Sequence, residues 1–499
     1  MKKALCMLLS LMILISAFGG LTAFASDAEE IAAAAETDAL PEVPQVRIET
    51  ASGEGLNLTK AIGYVDATVT ITDTDGTEFK GEAQVKVRGN STSGLNKKPY
   101  TFKFSKKTNV LGMGKAKKWA LLANMFDPTL LRNYVGIEIA RELGMAYTSE
   151  QRVVEVWMDG SFRGCYNLIE PVQEGSSRVD IDIESNGGMK DFLIERELNH
   201  IDEGAVYFTS NGIRFVCDEP ESPNTEQLAY IKDVVDSAFQ VLRSGTRKQV
   251  EEKIDLTSFA RYYLLNEFVK TVDFDYSSVF FYYKDGKMYA GPAWDYDLSM
   301  GNENAVISAN YAASNKTDGL HCDTKQLYRW LCKRVWFFDA VRREWEAHRA
   351  YFESIGADGG MIDSLYESYS GAIDRNFSAA RWPFKHYFNY NRAPDATYAE
   401  NLAYFKNWTS ERASWLGGYF DEDVTAYLLG DADGDGLVSI LDATAIQRML
   451  ASFMTDGFDS IAADTDGDGT VTVFDVSLIQ RRLADMEVSD PVGEQLWRK

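Results

Sequence analysis

The chain has 499 residues, 75 acidic side chains against 51 Lys and Arg, and a formal net charge of −24. That surplus repels a phosphate backbone and argues against nucleic acid as a partner. Apolar residues make up 45% and aromatics 12%, enough for a large core, and the length suggests two or three domains.

Residues 1–25 read as a secretory signal. Lys2 and Lys3 precede an apolar run from Leu8 to Ala17, and Ala23-Phe24-Ala25 supplies a small-residue cleavage site. The run is too short for an ordinary membrane span, and no other stretch is apolar enough to cross a bilayer. The expectation is therefore an exported chain without a span. Residues 26–45, beginning "SDAEEIAAAAETDALPEVP", read as an acidic flexible spacer. Without the signal, Cys165, Cys217, Cys322 and Cys332 remain, too few for a disulfide scaffold and best read as buried small apolar side chains. Four scattered histidines (His200, His321, His348, His386) argue against a histidine zinc site.

From 46 to 425 the chain reads as one α+β domain, strand-rich first and helix-rich later. "ATVTITD", "AQVKVRG" and "PYTFKF" alternate as strands do. Residues 127–145 have helical spacing, with Asp127 as expected N-cap and Pro128 at the first helical position. Strands follow over 152–170, turning at Asp159-Gly160. A helix over 256–273 leads into a hairpin turning at Asp285-Gly286, and the rest to about 420 is mostly helix.

Within "AGPAWDYDLSMGN" (290–302), Asp295 and Asp297 alternate, so in extended chain both carboxylates point the same way. With no basic neighbour they suit Mg²⁺ or Mn²⁺ and its phosphate ligand. Asp273 precedes the hairpin whose return strand delivers Asp295, so the two can meet. One carboxylate on an acceptor hydroxyl and another on a metal is what phosphoryl transfer needs. A D-x-D pair alone is weak, because acidic surface turns are common. A rival reading takes Glu170, Glu195 and Glu197 as acid and base of a glycoside hydrolase, although alternating Glu195 and Glu197 also fit a solvated strand face.

The tail carries a duplication. "DADGDGLVSILD" at 431–442 recurs as "DTDGDGTVTVFD" at 464–475, and the following helical stretches match at the same offset. Asp431, Asp433 and Asp435 occupy loop positions 1, 3 and 5, with Gly436 at 6 for the sharp turn. Leu437 offers its carbonyl, Ser439 sits at 9 and Asp442 closes the loop. Asp464, Asp466, Asp468, Gly469, Thr470, Thr472 and Asp475 repeat the pattern. Hard oxygen ligands at alternate positions suit Ca²⁺, one ion per loop. No helix-forming stretch is expected at the proper distance before either loop.

Two such loop–helix units over 430–488 resemble a type I dockerin. The resemblance implies docking onto a cohesin of a cellulosome scaffoldin, hence a secreted, cell-surface protein. It assigns the cohesin contact to Ile440, Leu441, Val473 and Phe474, with Arg448 and Arg481 following. Exposed apolar pairs of this kind make good anchors in a partner's pocket. Most dockerin-bearing partners act on carbohydrate, which keeps the polysaccharide reading open.

"VRGNSTSGLNKKPYTFKF", "DPTLLRN", "GCYNLIEPV", "NEFVKTVDFDY" and "GPAWDYDLSMGN" occur in the order expected of the CotH family of atypical protein kinases. The resemblance implies Mg²⁺- or Mn²⁺-dependent phosphate transfer from ATP to a protein Ser or Thr. It implies Asp273 as the catalytic aspartate and Asp295 as metal ligand, with Asp297 beside it. Arg88, Lys97 and Lys98 match its basic motif and fall to the nucleotide, with Lys103 a rival and Glu138 or Glu170 the ion-pair partner. Ordinary kinase signatures, a glycine-rich G-x-G-x-x-G and H-R-D, are absent, and Ser277 and Ser278 stand where a second metal-binding asparagine is expected. A non-catalytic binding module is the third reading.

Overall fold

The computed structural model describes residues 40–185, 188–198, 201–202, 204–302, 314–380, 382, 396–453 and 457–498. The signal and nearly all of the spacer lie outside them, as do His200 and His386. The chain forms two compact units, each assembled from separated stretches.

The first unit takes residues up to Met125, Gln151–Ile169 and Tyr366–Lys385. Seven strands close into a barrel: β1 (Gln45–Thr50), β2 (Val65–Thr72), β3 (Glu78–Val87), β4 (Tyr100–Asn109), β5 (Lys115–Leu122), β6 (Gln151–Met158) and β7 (Ser161–Ile169), in the order β1-β2-β3-β4-β5-β7-β6. A parallel β1–β6 pairing closes it. Alternation does the rest: Val46, Ile48, Val69, Ile71, Val85, Phe102, Phe104 and Trp119 are buried inside. The β6–β7 turn is the expected one, with Asp159 and Gly160 both left-handed (φ 47° and 75°). The Asp159 carboxylate accepts the Thr50 and Gly55 N–H groups, at 2.7 and 2.5 Å.

The second unit takes Phe126–Glu150, Glu170–Leu365 and residues from His386 onward. After a short ladder of β8 (Glu184–Ser185) and β9 (Gly188–Met189), its sheet uses β10 (Phe192–Arg196), β11 (Tyr207–Ser210), β12 (Ile213–Glu219), β13 (Val279–Lys284) and β14 (Lys287–Ala290), ordered β11-β12-β10-β13-β14. The hairpin at Asp285-Gly286 forms as expected, both residues having positive φ. Helix Leu256–Val269 is buried almost all round, through Phe259, Tyr262, Tyr263, Leu264, Leu265 and Phe268. It stops four residues earlier than expected, at left-handed Lys270, which leaves Asp273 in a turn. The helix expected over 127–145 starts at Arg132 with Leu131 as N-cap and no side-chain cap bond. Asp127 still accepts the Arg132 N–H at 2.7 Å, from five residues upstream, and so satisfies one of the helix's unpaired donors.

At the C-terminus, β15 (Thr425–Leu428) pairs antiparallel with β16 (Gln495–Arg498). Between them, helices Ile440–Leu450 and Val473–Leu483 pack through Ala443, Ile446, Val476 and Ile479. One helical turn, Ser460–Ala463, does precede the second loop, contrary to expectation. The Trp497 indole N–H donates to the Cys332 carbonyl at 2.6 Å and its ring meets Phe338. All four described cysteines are buried and free. Among the described residues no helix is long and apolar enough to cross a membrane.

Candidate functional sites

The aspartates of 290–302 are placed by two backbone bonds. The Val272 N–H donates to Leu298 O at 3.1 Å and the Met300 N–H to Val269 O at 2.6 Å. The segment leaving the buried helix therefore runs beside the W-D-Y-D segment, and Asp273 comes alongside Asp297. From the other side, the Asn133 side chain accepts the Tyr296 N–H at 2.6 Å. The Tyr296 ring lies against Gly136, where a Cβ would come within 2.4 Å of it. Gly301 (φ 75°) is similarly fixed, because a side chain there would meet Trp408.

Burial pushes the Asp297 carboxyl well above its ordinary range, and the charges of Asp295, Asp273 and Asp127 push it further. Asp127 is buried and paired with Arg132 at 2.6 Å. The neighbouring Asp275 is occupied elsewhere: it meets Arg196 at 3.1 Å and accepts the Gln326 N–H at 2.8 Å. That leaves Asp273 as the aspartate of "DFD" in this acidic group. Ser278, in the stretch where the family resemblance implies an asparagine, donates to Asp295 at 3.3 Å. Five non-glycine residues here (Lys270, Asp275, Ser278, Asp295 and Met300) have left-handed backbones, a concentration of local strain typical of functional segments.

Behind this group lies a buried ion pair. Arg412 meets Glu267 at 3.1 Å, both side chains fully buried. Glu267 also accepts the His321 and Cys322 N–H groups at 2.8 and 2.7 Å. Sequence reasoning missed Asp127, Asn133 and this pair. It also underrated Glu195: β10 lies between β12 and β13, and burial, Asp218, Glu197 and Asp295 push its carboxyl well up. Glu195 accepts the Ser278 N–H at 3.1 Å and Glu197 the Ser277 hydroxyl at 2.5 Å, so neither belongs to a solvated face.

The residues expected at a nucleotide fare unevenly. Lys97 is a correction. It is wholly buried, donating to Ala123 O, Cys165 O and Asn376 Oδ1 at 3.0, 2.5 and 2.8 Å. All three ammonium protons are engaged, and burial lowers its pKa to about 7. In this arrangement no phosphate reaches it. Lys98 is half-buried and donates to Leu58 O at 2.6 Å. Arg88 is half-buried at the end of β3, where its N–H donates to Pro99 O. Lys103 is exposed, opposite Lys118, with Phe102 and Phe104 turned inward. Glu138 meets Arg141 of its own helix at 3.3 Å. Glu170 is buried against Arg178 at 3.3 Å and accepts the Glu150 N–H.

The C-terminal loops are geometrically alike. Oxygens of Asp431, Asp433 and Asp435 lie within 4.8 Å of one another, as do those of Asp464, Asp466 and Asp468. These are the two such groupings among the described residues; the Asp273, Asp295 and Asp297 group is more open. Gly436 and Gly469 both have φ 88° and donate to Asp431 and Asp464 at 2.9 Å. Asp442 and Asp475 are fully buried and hold their loops through Ser439 and Thr472 N–H, each at 2.7 Å. Among the described residues none of these carboxylates forms an ion pair. Oxygen-only donors, crowded charge and no protein counter-cation fit Ca²⁺. Leu437 and Thr470 sit at position 7 of each loop. Ile440, Leu441, Val473 and Phe474 are exposed, as are Arg448 and Arg481.

The architecture is thus that of an α+β protein with a strained, carboxylate-lined segment, followed by a paired calcium-loop module. Residues 85–416, about two thirds of the chain, match the family model described as CotH kinase protein, and the chain belongs to that family. Residues 429–484 match the type I dockerin domain, which implies Ca²⁺ binding and a cohesin partner. No curated protein matches the chain.

Proposed function

We propose that this is an exported protein, fixed by its dockerin to a cohesin of a cell-surface cellulosome, whose CotH domain phosphorylates Ser or Thr of a protein. Export rests on the signal-like residues 1–25, and the address on the dockerin. The observation that carries the chemistry is the backbone pairing of 269–272 with 298–300, which sets Asp273 beside Asp297.

In this reading Asp295 and Asp297 hold Mg²⁺ or Mn²⁺, and Asp273 accepts the proton of the attacking hydroxyl. The charges of Asp295, Asp273 and Asp127, which add to burial in raising the Asp297 pKa, are what a divalent ion would offset. A pair of carboxylates, rather than a full protein cage, suits Mg²⁺, which keeps water and phosphate ligands. The bound metal nucleotide supplies the phosphoryl group.

The hydrolase reading loses support, because Glu170 is engaged with Arg178 and Glu195 and Glu197 with Ser278 and Ser277. The deciding experiment measures melting with ATP and Mg²⁺ or Mn²⁺, since any binder must stabilise the fold by mass action. It is paired with phosphate transfer by the parent and by Asp273→Asn. The kinase reading predicts a nucleotide- and metal-dependent shift in both proteins and transfer only in the parent. No shift, or equal transfer by Asp273→Asn, removes it.

A further inference from the structure

In a chain of net charge −24, residues 88–126 contain nine Lys and Arg and no Asp or Glu. The other 460 residues therefore carry −33. Six of the nine, Lys103, Lys106, Lys107, Lys115, Lys117 and Lys118, fall on the β4–β5 hairpin, and the first five are exposed. Lys103 stands directly opposite Lys118 in register, a like-charge pair that works against the sheet. Lys103, Lys106, Lys107, Lys115 and Lys117 form no ion pair among the described residues. An acidic protein thus concentrates basic side chains on one hairpin, five of them exposed and without an ion pair among the described residues.

The platform beneath is firm. Tyr100, Phe102, Phe104 and Trp119 are buried, and the base of the hairpin is held on both sides, β4 by β3 over Tyr100–Phe104 and β5 by β7 over Ala120–Leu122. Beyond that base, Lys106, Lys107, Lys115 and Lys117 lie on a stretch that among the described residues pairs only within the hairpin, so their side chains stand on an open ribbon. We propose that the outer face of this hairpin docks an extended acidic polypeptide segment, with Lys103 serving there rather than at a nucleotide.

Three features favour that occupant. Alternate side chains along a strand repeat every 7 Å or so, the same repeat an extended peptide gives alternate carboxylates. Every cation is Lys, a point charge suited to single carboxylates, and no Arg offers the planar fork that favours phosphate. The aromatic residues of β4 and β5 are buried, so neither nucleic-acid bases nor sugar rings find a stacking surface.

The test uses the full chain with Ca²⁺ and no nucleotide, so it is independent of phosphate transfer, and Asp273→Asn should bind like the parent. The probe is fluorescent poly-L-glutamate of about 15 residues read by anisotropy, with binding expected to weaken at least about tenfold between about 20 and about 200 mM salt. Combining Lys103→Ser, Lys107→Ser, Lys115→Ser and Lys117→Ser should cost at least about tenfold in affinity without lowering the melting temperature. Arginine at the same four positions should retain binding. No binding by the parent, or equal binding by the serine variant, overturns the proposal. Polygalacturonate of equal charge binding tenfold more tightly at the same lysines overturns the peptide assignment in favour of an anionic polysaccharide.

Discussion

The two acid-rich regions of this protein are assembled in opposite ways. Each calcium-type loop gathers its carboxylates within 12 residues and repeats the same bonds at an offset of 33 residues, down to the 2.9 Å contact of Gly436 and of Gly469. The CotH group draws Asp127, Asp273, Asp295 and Asp297 from three distant segments, joined by the 272–298 and 269–300 backbone bonds and by Asn133. A local site needs the right residues in a short turn. A non-local site needs the whole fold behind it, so its failure modes lie far from its ligands.

The largest expected effect tests the local half. Chelation should unfold the repeats and abolish capture by immobilised cohesin, because neighbouring carboxylates in each loop then repel without a counter-ion. Unchanged capture in excess EDTA would break the comparison at its stronger end. Next comes the non-local half. Arg412→Met leaves Glu267 buried without its partner, and breaking such a pair costs about 3–5 kcal/mol. Denaturant unfolding should show that loss, while cohesin capture in Ca²⁺ stays intact under native conditions. Equal stability would mean that the pair does not support the segment ahead of Asp273.

Legibility in the sequence follows the same division. Alternation placed the early strands, and Asp159-Gly160 and Asp285-Gly286 declared their hairpins, because these signals are local. The loops were readable position by position. Asp273 was placed beside the later aspartates on the strength of a hairpin argument, but Asp127 and Asn133 were invisible in that role, since only tertiary contact brings them there. Lys97 shows the cost of reading a non-local residue locally. A basic motif suggested phosphate, yet the acceptors around it come from Ala123, Cys165 and Asn376, up to 279 residues away. Lys97→Met should therefore destabilise the fold by about 1–3 kcal/mol for each buried acceptor left unpaired. Any nucleotide-induced melting shift should survive. Loss of that shift at normal stability would return Lys97 to the phosphate.

The smallest effect probes a contact two residues before Asp273. His321 Nε2 lies 2.8 Å from the Thr271 carbonyl, so in the neutral ring Nε2 carries the proton. Burial, then the charge of Lys325, lowers the His321 pKa to about 3, with Lys270 and Arg412 adding to the shift. In the unfolded chain it titrates near its ordinary value of 6.5. Between those values the unfolded state binds the extra proton, so stability is fully present above about 6.5 and falls as pH drops toward 3. From pH 7 to pH 6 the loss from this one group is about 0.7 kcal/mol. His321→Gln, which keeps a donor for Thr271 but cannot titrate, should lose that much less over the same interval. If urea unfolding of the two proteins shows the same pH slope, His321 takes up its proton in the folded state. The contact holding Thr271 is then looser than the geometry shows, and the acidic group loses one of its non-local supports.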